Sequence, residues 1–386
     1  MVMARCAICG AEGLVSEAIG VCARCLRERP GEALAVARER RRRLRLELGL
    51  PPEPPRGRGG APCRICVNEC DIPPGGRGYC GLWVNRGGRL EPLQGHGRLL
   101  AYTYLDPHPT NCTAGYVCPA NTSRGYPRYT FTRGVERGYY NLAVFLLGCP
   151  LDCHFCQNPE HKLGLVGPRW RSYVKSIDEL VEEALDPRVT CICYFGGDPT
   201  PQMPLLIQAS RRILGEAERR GQWPKRICWE TDGLAARPLL REAARLSLES
   251  GGIVKIDWKA WTPSIYEALT GASGEKALRR LAENTEMLAA MAAERPEPPL
   301  LVVSVLLVPG YVDAEEVRLI ARHVAGLMTR YGVNIPMVLL GFHPDYRMRD
   351  LPPTSRRHAL EAARAAREEG VKEVYIGNAW LLGDHY

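Results

Sequence analysis

From residue 139 onward the chain alternates between two hydrophobic rhythms. Short apolar runs rich in β-branched residues occupy 140–147, 190–195, 225–230, 252–257, 301–308 and 335–341. Runs of this length, bounded by turn residues, read as buried strands. Each is followed by a segment with helical periodicity, at 176–186, 202–220, 235–249, 263–292, 313–331 and 355–369. A last short strand falls at Glu373–Ile376. Alternating strand and helix predicts parallel strands joined by right-handed crossovers. The predicted fold is therefore α/β: a partial (β/α)6 TIM-like barrel over 139–386, preceded by small Cys-rich metal-binding modules. In such a barrel the functional residues gather at the C-terminal ends of the strands.

Before residue 139 the pattern breaks into smaller pieces. Residues 1–29 predict a zinc-ribbon-like module. Residues 30–61 predict a basic helix, over 30–48, followed by a Pro/Gly-rich linker at 51–61, and 62–138 form a Cys-rich extension. No apolar run reaches the length of a membrane span, and the N-terminus lacks the apolar core of a signal peptide. A cytoplasmic protein without membrane contact is expected. With 386 residues, 45% hydrophobic and 24% charged, the composition is that of a globular chain and excludes wholesale disorder. The formal net charge is +8, carried by 44 Arg and only 7 Lys. Residues 1–60 hold 12 Arg against 7 Glu, so much of the excess lies there. That segment reads either as a solvated helix face or as a contact for RNA or an acidic protein.

The chain has 16 cysteines. In a reducing compartment, dense and patterned cysteine means metal or redox chemistry rather than disulfides. Cys6, Cys9, Cys22 and Cys25 form two CxxC knuckles, the pattern of a tetrahedral zinc site, with iron of the same geometry as the alternative. Cys63, Cys66, Cys70 and Cys80 form a second candidate four-ligand site. Spacing alone does not separate zinc from an iron–sulfur cluster there. Cys112 and Cys118 either complete a further site or are buried thiols. Cys191, Cys193 and Cys228 lie within apolar strands and read as core thiols.

The strongest signal closes the first barrel strand. Cys149, Cys153 and Cys156 stand in a Cys-x3-Cys-x2-Cys loop, with Phe155 before the last. Three thiolates can hold three irons of a [4Fe–4S] cluster and leave the fourth open for chemistry. This motif resembles that of the radical S-adenosylmethionine (SAM) superfamily. The resemblance implies that SAM binds the open iron and is reductively cleaved, giving a 5′-deoxyadenosyl radical that abstracts hydrogen. Gly196, Gly197, Asp198 and Pro199 resemble the family's Gly-Gly-Glu-Pro segment for the SAM ammonium, with Asp in place of Glu. Glu230, Thr231 and Asp232 resemble the segment that meets the SAM ribose or carboxylate. Asp257 and Lys259 resemble a pair in glycyl-radical-enzyme activases. The loop containing Val308 and Gly310 is similar to the adenine-side loop.

Together with Cys63–Cys80, these segments resemble the AmmeMemoRadiSam group and relatives of pyruvate formate-lyase activating enzyme. The resemblance covers roughly 62–386, and the Asn111–Tyr129 stretch departs from it. It implies a protein substrate and a ferredoxin- or flavodoxin-like electron donor, with an auxiliary iron–sulfur cluster as a further relay. Two alternatives stay open: radical modification of RNA or a small metabolite, and a non-enzymatic zinc-bearing nucleic-acid adaptor. His343 and Asp345 read either as ordinary loop residues or as substrate-side groups.

Overall fold

Each strand expected from residue 140 onward forms, within two residues of its expected ends, in the computed structural model, which describes residues 4–386. We label them β1 (Tyr140–Leu146), β2 (Val189–Gly196), β3 (Arg226–Thr231), β4 (Val254–Asp257), β5 (Leu301–Leu307), β6 (Met337–Gly341) and β7 (Val374–Gly377). They pair in sequence order, all parallel. Arg98–Pro107 adds antiparallel to the free edge of β1, and Val174–Ser176 adds antiparallel to that strand. The sheet thus runs open from Val174–Ser176 to β7. It curls nonetheless, because Phe195 at the end of β2 and Asn378 just after β7 line one groove.

The helices follow the predicted rhythm with one correction. The single helix expected over 263–292 is two, Pro263–Thr270 and Gly274–Ala292. The break is at Gly271, whose φ of +80° favours glycine. The Arg41 side chain lies against it and donates to the terminal carbonyls of Glu267 and Ala268. The neighbouring carbonyls, Leu269 and Thr270, accept from the backbone N–H groups of His154 and Asp152. The short helix therefore ends where the Cys149–Cys156 loop needs its carbonyls.

Arg41 belongs to the basic helix, Pro30–Glu47. That helix docks one face on the barrel and leaves Arg38, Arg42 and Arg43 exposed on the other. Arg41 and Arg45 are buried, and both approach Asp152 inside the Cys149–Cys156 loop, at 3.8 and 3.6 Å. Arg38 pairs with Glu267, Arg43 with Glu39, and Arg40 donates to the Glu17 carbonyl. The Cys6–Cys25 module docks as well. Arg27 pairs with Asp313 and Glu316, and the Ser16 hydroxyl donates to Asp350.

The stretch over 111–129 lies inside the curve of the sheet. Ala114, Val117, Cys118 and Ala120 pack on Ile253, Val302 and Val338, which precede or lie on β4, β5 and β6. Tyr116 stacks on Tyr375 of β7, with ring centroids 4.7 Å apart. Among the described residues no helix is long and apolar enough to cross a membrane.

Candidate active site

The C-terminal ends of β1 to β4 open on one cavity. Its walls include Cys149, Cys153, Phe155 and Cys156 from the first loop, Gly196, Gly197 and Asp198 from the second, and Glu230, Thr231 and Asp232 from the third. Asp257 and Lys259 close it from the fourth. The sequence motifs, up to about 110 residues apart, thus meet where parallel-barrel geometry directs them.

The first loop is held from beneath by charge. Asp152 is buried among Lys162, Arg41 and Arg45. Those cations hold its carboxyl far below the usual range despite burial. The three thiols beside it are pushed up by desolvation, Cys153 to about 12. Bound metal would reverse that preference. No three of the cavity's thiol and carboxylate groups lie within 4.8 Å of one another, the spacing of a single-ion site, whereas Cys6, Cys9, Cys22 and Cys25 do. Wider spacing is what a multi-iron cluster requires of three thiolates.

The second loop has no room for side chains. A Cβ on Gly197 would stand 2.2 Å from the Gly148 carbonyl and 2.7 Å from the His161 ring. Gly196 has φ +110°, again a glycine conformation. Asp198 is used differently from the expected ammonium contact. Its carboxylate accepts from the backbone N–H groups of Thr200 and Asp232, both at 2.7 Å, and from the Thr231 hydroxyl at 3.0 Å. It ties the second strand end to the third. Asp232 is the more available carboxylate: one oxygen accepts from Leu234 N–H, and the other lies 3.8 Å from the Cys149 sulfur. Burial and the neighbouring Asp198 push Asp232 well up, so the pair favours a cation from a ligand.

The fourth strand presents a ladder of charge. Lys255, Asp257 and Lys259 alternate along the chain and face inward together. Lys259 Nζ is 2.7 Å from Asp257, which also accepts from Ser304. Lys255 reaches Glu230, opposite it in register, at 3.3 Å. Burial raises the cost of each charge, yet the pairing holds Asp257 low and Lys259 high. Lys255 was not foreseen, although the Lys-Ile-Asp-Trp-Lys alternation contained the signal. Gln157 and His161 also line the cavity, and each keeps a buried ring or amide nitrogen without a protein partner. Such orphaned groups suit a polar ligand.

Three expected residues fall elsewhere. Pro199 is buried behind the second loop and does not line the cavity. Val308 is fully buried in the core. Gly310 faces the N-terminal module: a Cβ there would stand 2.1 Å from the Leu14 carbonyl. The next residue, Tyr311, accepts from Ser16 N–H and donates to the Val21 carbonyl. The loop after β5 is thus a docking surface for the ribbon, not a wall of this cavity. In its place Leu306 and Leu340 form the far wall.

Cys6, Cys9, Cys22 and Cys25 converge as a single-ion site, which four thiolates suit for zinc or iron. Cys63, Cys66, Cys70 and Cys80 do not converge to that spacing. Their segment wedges against the active site instead. Asn68 donates to the Pro150 carbonyl, and Val67 N–H to the Leu234 carbonyl. A groove of about 830 Å³ adjoins the cavity, sharing Thr113, Gln157, Asn158 and Phe195 with it. Its outer walls carry Tyr116, His343, Asn378 and the largely exposed Trp380. His343 sits 3.7 Å from Asp345.

Residues 144–287 match the family profile described as the Radical SAM superfamily. Across a longer span, the chain is 27% identical over 319 residues to the uncharacterized protein MJ0808 of Methanocaldococcus jannaschii, covering 82% of this chain and 80% of that one. Among solved structures, a domain of pyruvate-formate lyase-activating enzyme from Bacteroides vulgatus is 18% identical, with a TM-score of 0.37, over 48% of this chain and 98% of that one. SuiB of Streptococcus suis, solved with S-adenosylmethionine, is 11% identical with a TM-score of 0.40, over 60% and 49%. At these scores the two structures carry no detail of the site.

Proposed function

From a chain with a Radical SAM superfamily domain across residues 144–287, we propose an enzyme that generates a 5′-deoxyadenosyl radical and uses it on a segment of a protein substrate. One observation carries the reading. Three thiols, a side-chain-free glycine loop and buried carboxylates from four successive strand ends share one cavity. The family implies a [4Fe–4S] cluster and SAM, and the residues fit both. Cys149, Cys153 and Cys156 would hold the cluster. When bound, cluster and SAM supply the reductive cleavage that yields the radical.

The chain's own residues bind and position. Gly196 and Gly197 let the second loop pack directly on the end of the first strand and on His161, which holds its backbone at the cavity wall, and Asp232 adds negative charge beside Cys149. Asp198 fixes the second and third loops relative to each other. The Glu230–Lys255–Asp257–Lys259 ladder offers both signs of charge to a ligand's carboxylate and ribose while keeping its protons in place. Asp152 and its three cations hold the cysteine loop at its depth.

A protein segment fits the open groove better than a small metabolite would, since its walls end in the exposed aromatic Trp380. RNA through residues 1–60 fits less well, because Arg41 and Arg45 are buried within the molecule, which leaves Arg38, Arg42 and Arg43 as the exposed cations of that helix. A ferredoxin- or flavodoxin-like protein would supply the electron, and Cys63, Cys66, Cys70 and Cys80, beside the catalytic loop, would suit an auxiliary cluster.

The test is fractionation. Reconstituted, reduced enzyme is given the macromolecular and small-molecule fractions of a cell extract, and 5′-deoxyadenosine is measured. Stimulation by the macromolecular fraction, abolished by protease and unaffected by nuclease, is expected. Stimulation that survives protease, or resides in the small-molecule fraction, would reject a protein substrate.

A further inference from the structure

The chain's positive charge is concentrated before the barrel. Residues 30–98 hold 13 Arg and no Lys against 7 Asp and Glu, which is +6 of the net +8. Part of it gathers about one residue beside the catalytic loop. Glu69 has φ +44°, in the left-handed region that side chains rarely adopt. Its carbonyl accepts from Arg56 and from Arg64, each at 3.0 Å. Its carboxylate lies 3.5 Å from Arg280 and 3.9 Å from Lys276, both on the helix Gly274–Ala292. Arg64 also pairs with Asp71, and Arg280 approaches Glu283 at 3.9 Å. Arg56 and Arg58 are exposed and have no carboxylate partner among the described residues. We propose that this surface, with Arg56, Arg58, Arg64, Lys276 and Arg280 around Glu69, docks a small acidic one-electron carrier protein of the ferredoxin type, the donor that reduces the catalytic centre. The inference rests on the reading of the cavity as a radical SAM site.

Position carries the argument. Asn68, the residue before Glu69, donates to the Pro150 carbonyl at 2.7 Å, and Pro150 follows Cys149. Val67 N–H donates to the Leu234 carbonyl at 3.0 Å, two residues past Asp232. The cationic surface is therefore one residue removed from contact with both the cysteine loop and the third strand end. The substrate groove meets the cavity elsewhere, at Thr113, Gln157, Asn158 and Phe195. The two surfaces share no residue, so donor and substrate can be bound together. One electron leaves the carrier's iron–sulfur centre, and one arrives at the centre that Cys149, Cys153 and Cys156 hold. No proton moves and no bond breaks.

Charge selects an acidic partner, and the surrounding surface selects a protein. A nucleic-acid strand is held along a cationic track with aromatic rings on which its bases stack. The exposed aromatic side chains all lie outside 30–98 and outside the helix Gly274–Ala292. The cations here instead form a compact group with Glu69 and Asp71 among them. Mixed charge of this kind fixes register in a protein encounter as well as raising its rate. The surplus of cations attracts an acidic carrier over distance, an effect of about tenfold or more on association at low salt.

The experiment uses the full chain, reconstituted anaerobically, and a purified acidic ferredoxin. Arg56→Glu, Arg58→Glu and Lys276→Glu together should raise the ferredoxin dissociation constant and slow reduction by pre-reduced ferredoxin, each by about tenfold or more at low salt. Iron content and the extent of reduction by excess dithionite should match the parent. In about 0.5 M salt, parent and variant should converge. Arg42→Glu with Arg43→Glu, on the exposed face of the basic helix, controls for net charge and should change the affinity by about twofold at most. No measurable ferredoxin binding by the parent, equal affinity in parent and triple variant, or an equal loss from the helix pair would overturn the assignment. So would a triple variant that loses poly(U) RNA and keeps ferredoxin. Failure of the underlying radical SAM reading shows differently: the parent forms no 5′-deoxyadenosine with dithionite, while the ferredoxin affinities still report on this surface.

Discussion

Gly197 shows how little latitude the site has at the scale of single residues. Its N–H donates to the Leu146 carbonyl, and the Gly148 carbonyl occupies the space a Cβ would need. Gly197→Ala should leave the far-UV circular dichroism unchanged and weaken SAM binding by about tenfold or more, the effect of about 1.4 kcal/mol of misplacement. Equilibrium binding to the reconstituted protein would check it; unaltered affinity would show that the close approach is not used. Asp152 is the second such residue. Asp152→Ala would leave Arg41, Arg45 and Lys162 buried without their shared anion. Breaking a buried pair on one side costs about 3 kcal/mol or more, so a clear fall in the denaturation midpoint and poor iron retention are expected. The cysteine spacing and glycine pair were legible in sequence because their chemistry is local. Asp198 was legible as a site residue but not as a tie between loops, since its partners Thr231 and Asp232 lie over 30 positions away. Asp152, between Cys149 and Cys153, gave no signal, because two of its three cations come from a helix more than 100 residues earlier.

At the scale of elements, the outcome separates periodicity from docking. Strands and helices from 140 onward follow from their repeat of apolar positions, and only the break at Gly271 escaped it. What no local pattern reveals is Arg41, more than 200 residues earlier, which caps the carbonyls that the break at Gly271 leaves. The same holds for the loop after β5. Its glycine is required by Leu14 of the ribbon, so the local motif suggested a ligand where the fold places a protein contact. The ribbon is accordingly part of the barrel's support. Cys9→Ser should remove one metal ion per chain and lower the melting temperature, because residues 4–29 have too small a core to hold themselves without it. Metal analysis with thermal denaturation reads both. Loss of the ion with no change in melting temperature would mean the docked ribbon is dispensable to the fold.

Across the whole molecule, buried histidines set the response to acid. Desolvation lowers His108 to about 4, and His154, His161, His323 and His358 are shifted in the same direction. A histidine lowered by folding binds its proton more readily when unfolded. Stability from each is therefore present above the unfolded value near 6.5 and falls as pH drops towards the folded value. His108 alone accounts for about 1 kcal/mol between pH 7.5 and 5.5. Asp152 does not contribute in that window, since its carboxyl is held low and its stabilisation is lost only in stronger acid. Urea midpoints should be lower at pH 5.5 than at 7.5, and a His108→Gln variant should show a smaller difference. Equal midpoints would contradict the buried, neutral assignment.

The central claim is that the cavity at the ends of β1 to β4 cleaves SAM to a radical. The most direct measurement is 5′-deoxyadenosine formed from SAM by anaerobically reconstituted, dithionite-reduced protein, compared with its Cys153→Ala variant. The account predicts product from the unaltered chain and none above background from the variant. Iron-loaded protein that forms no product while a control enzyme does, or a variant that forms as much as the parent, would contradict it.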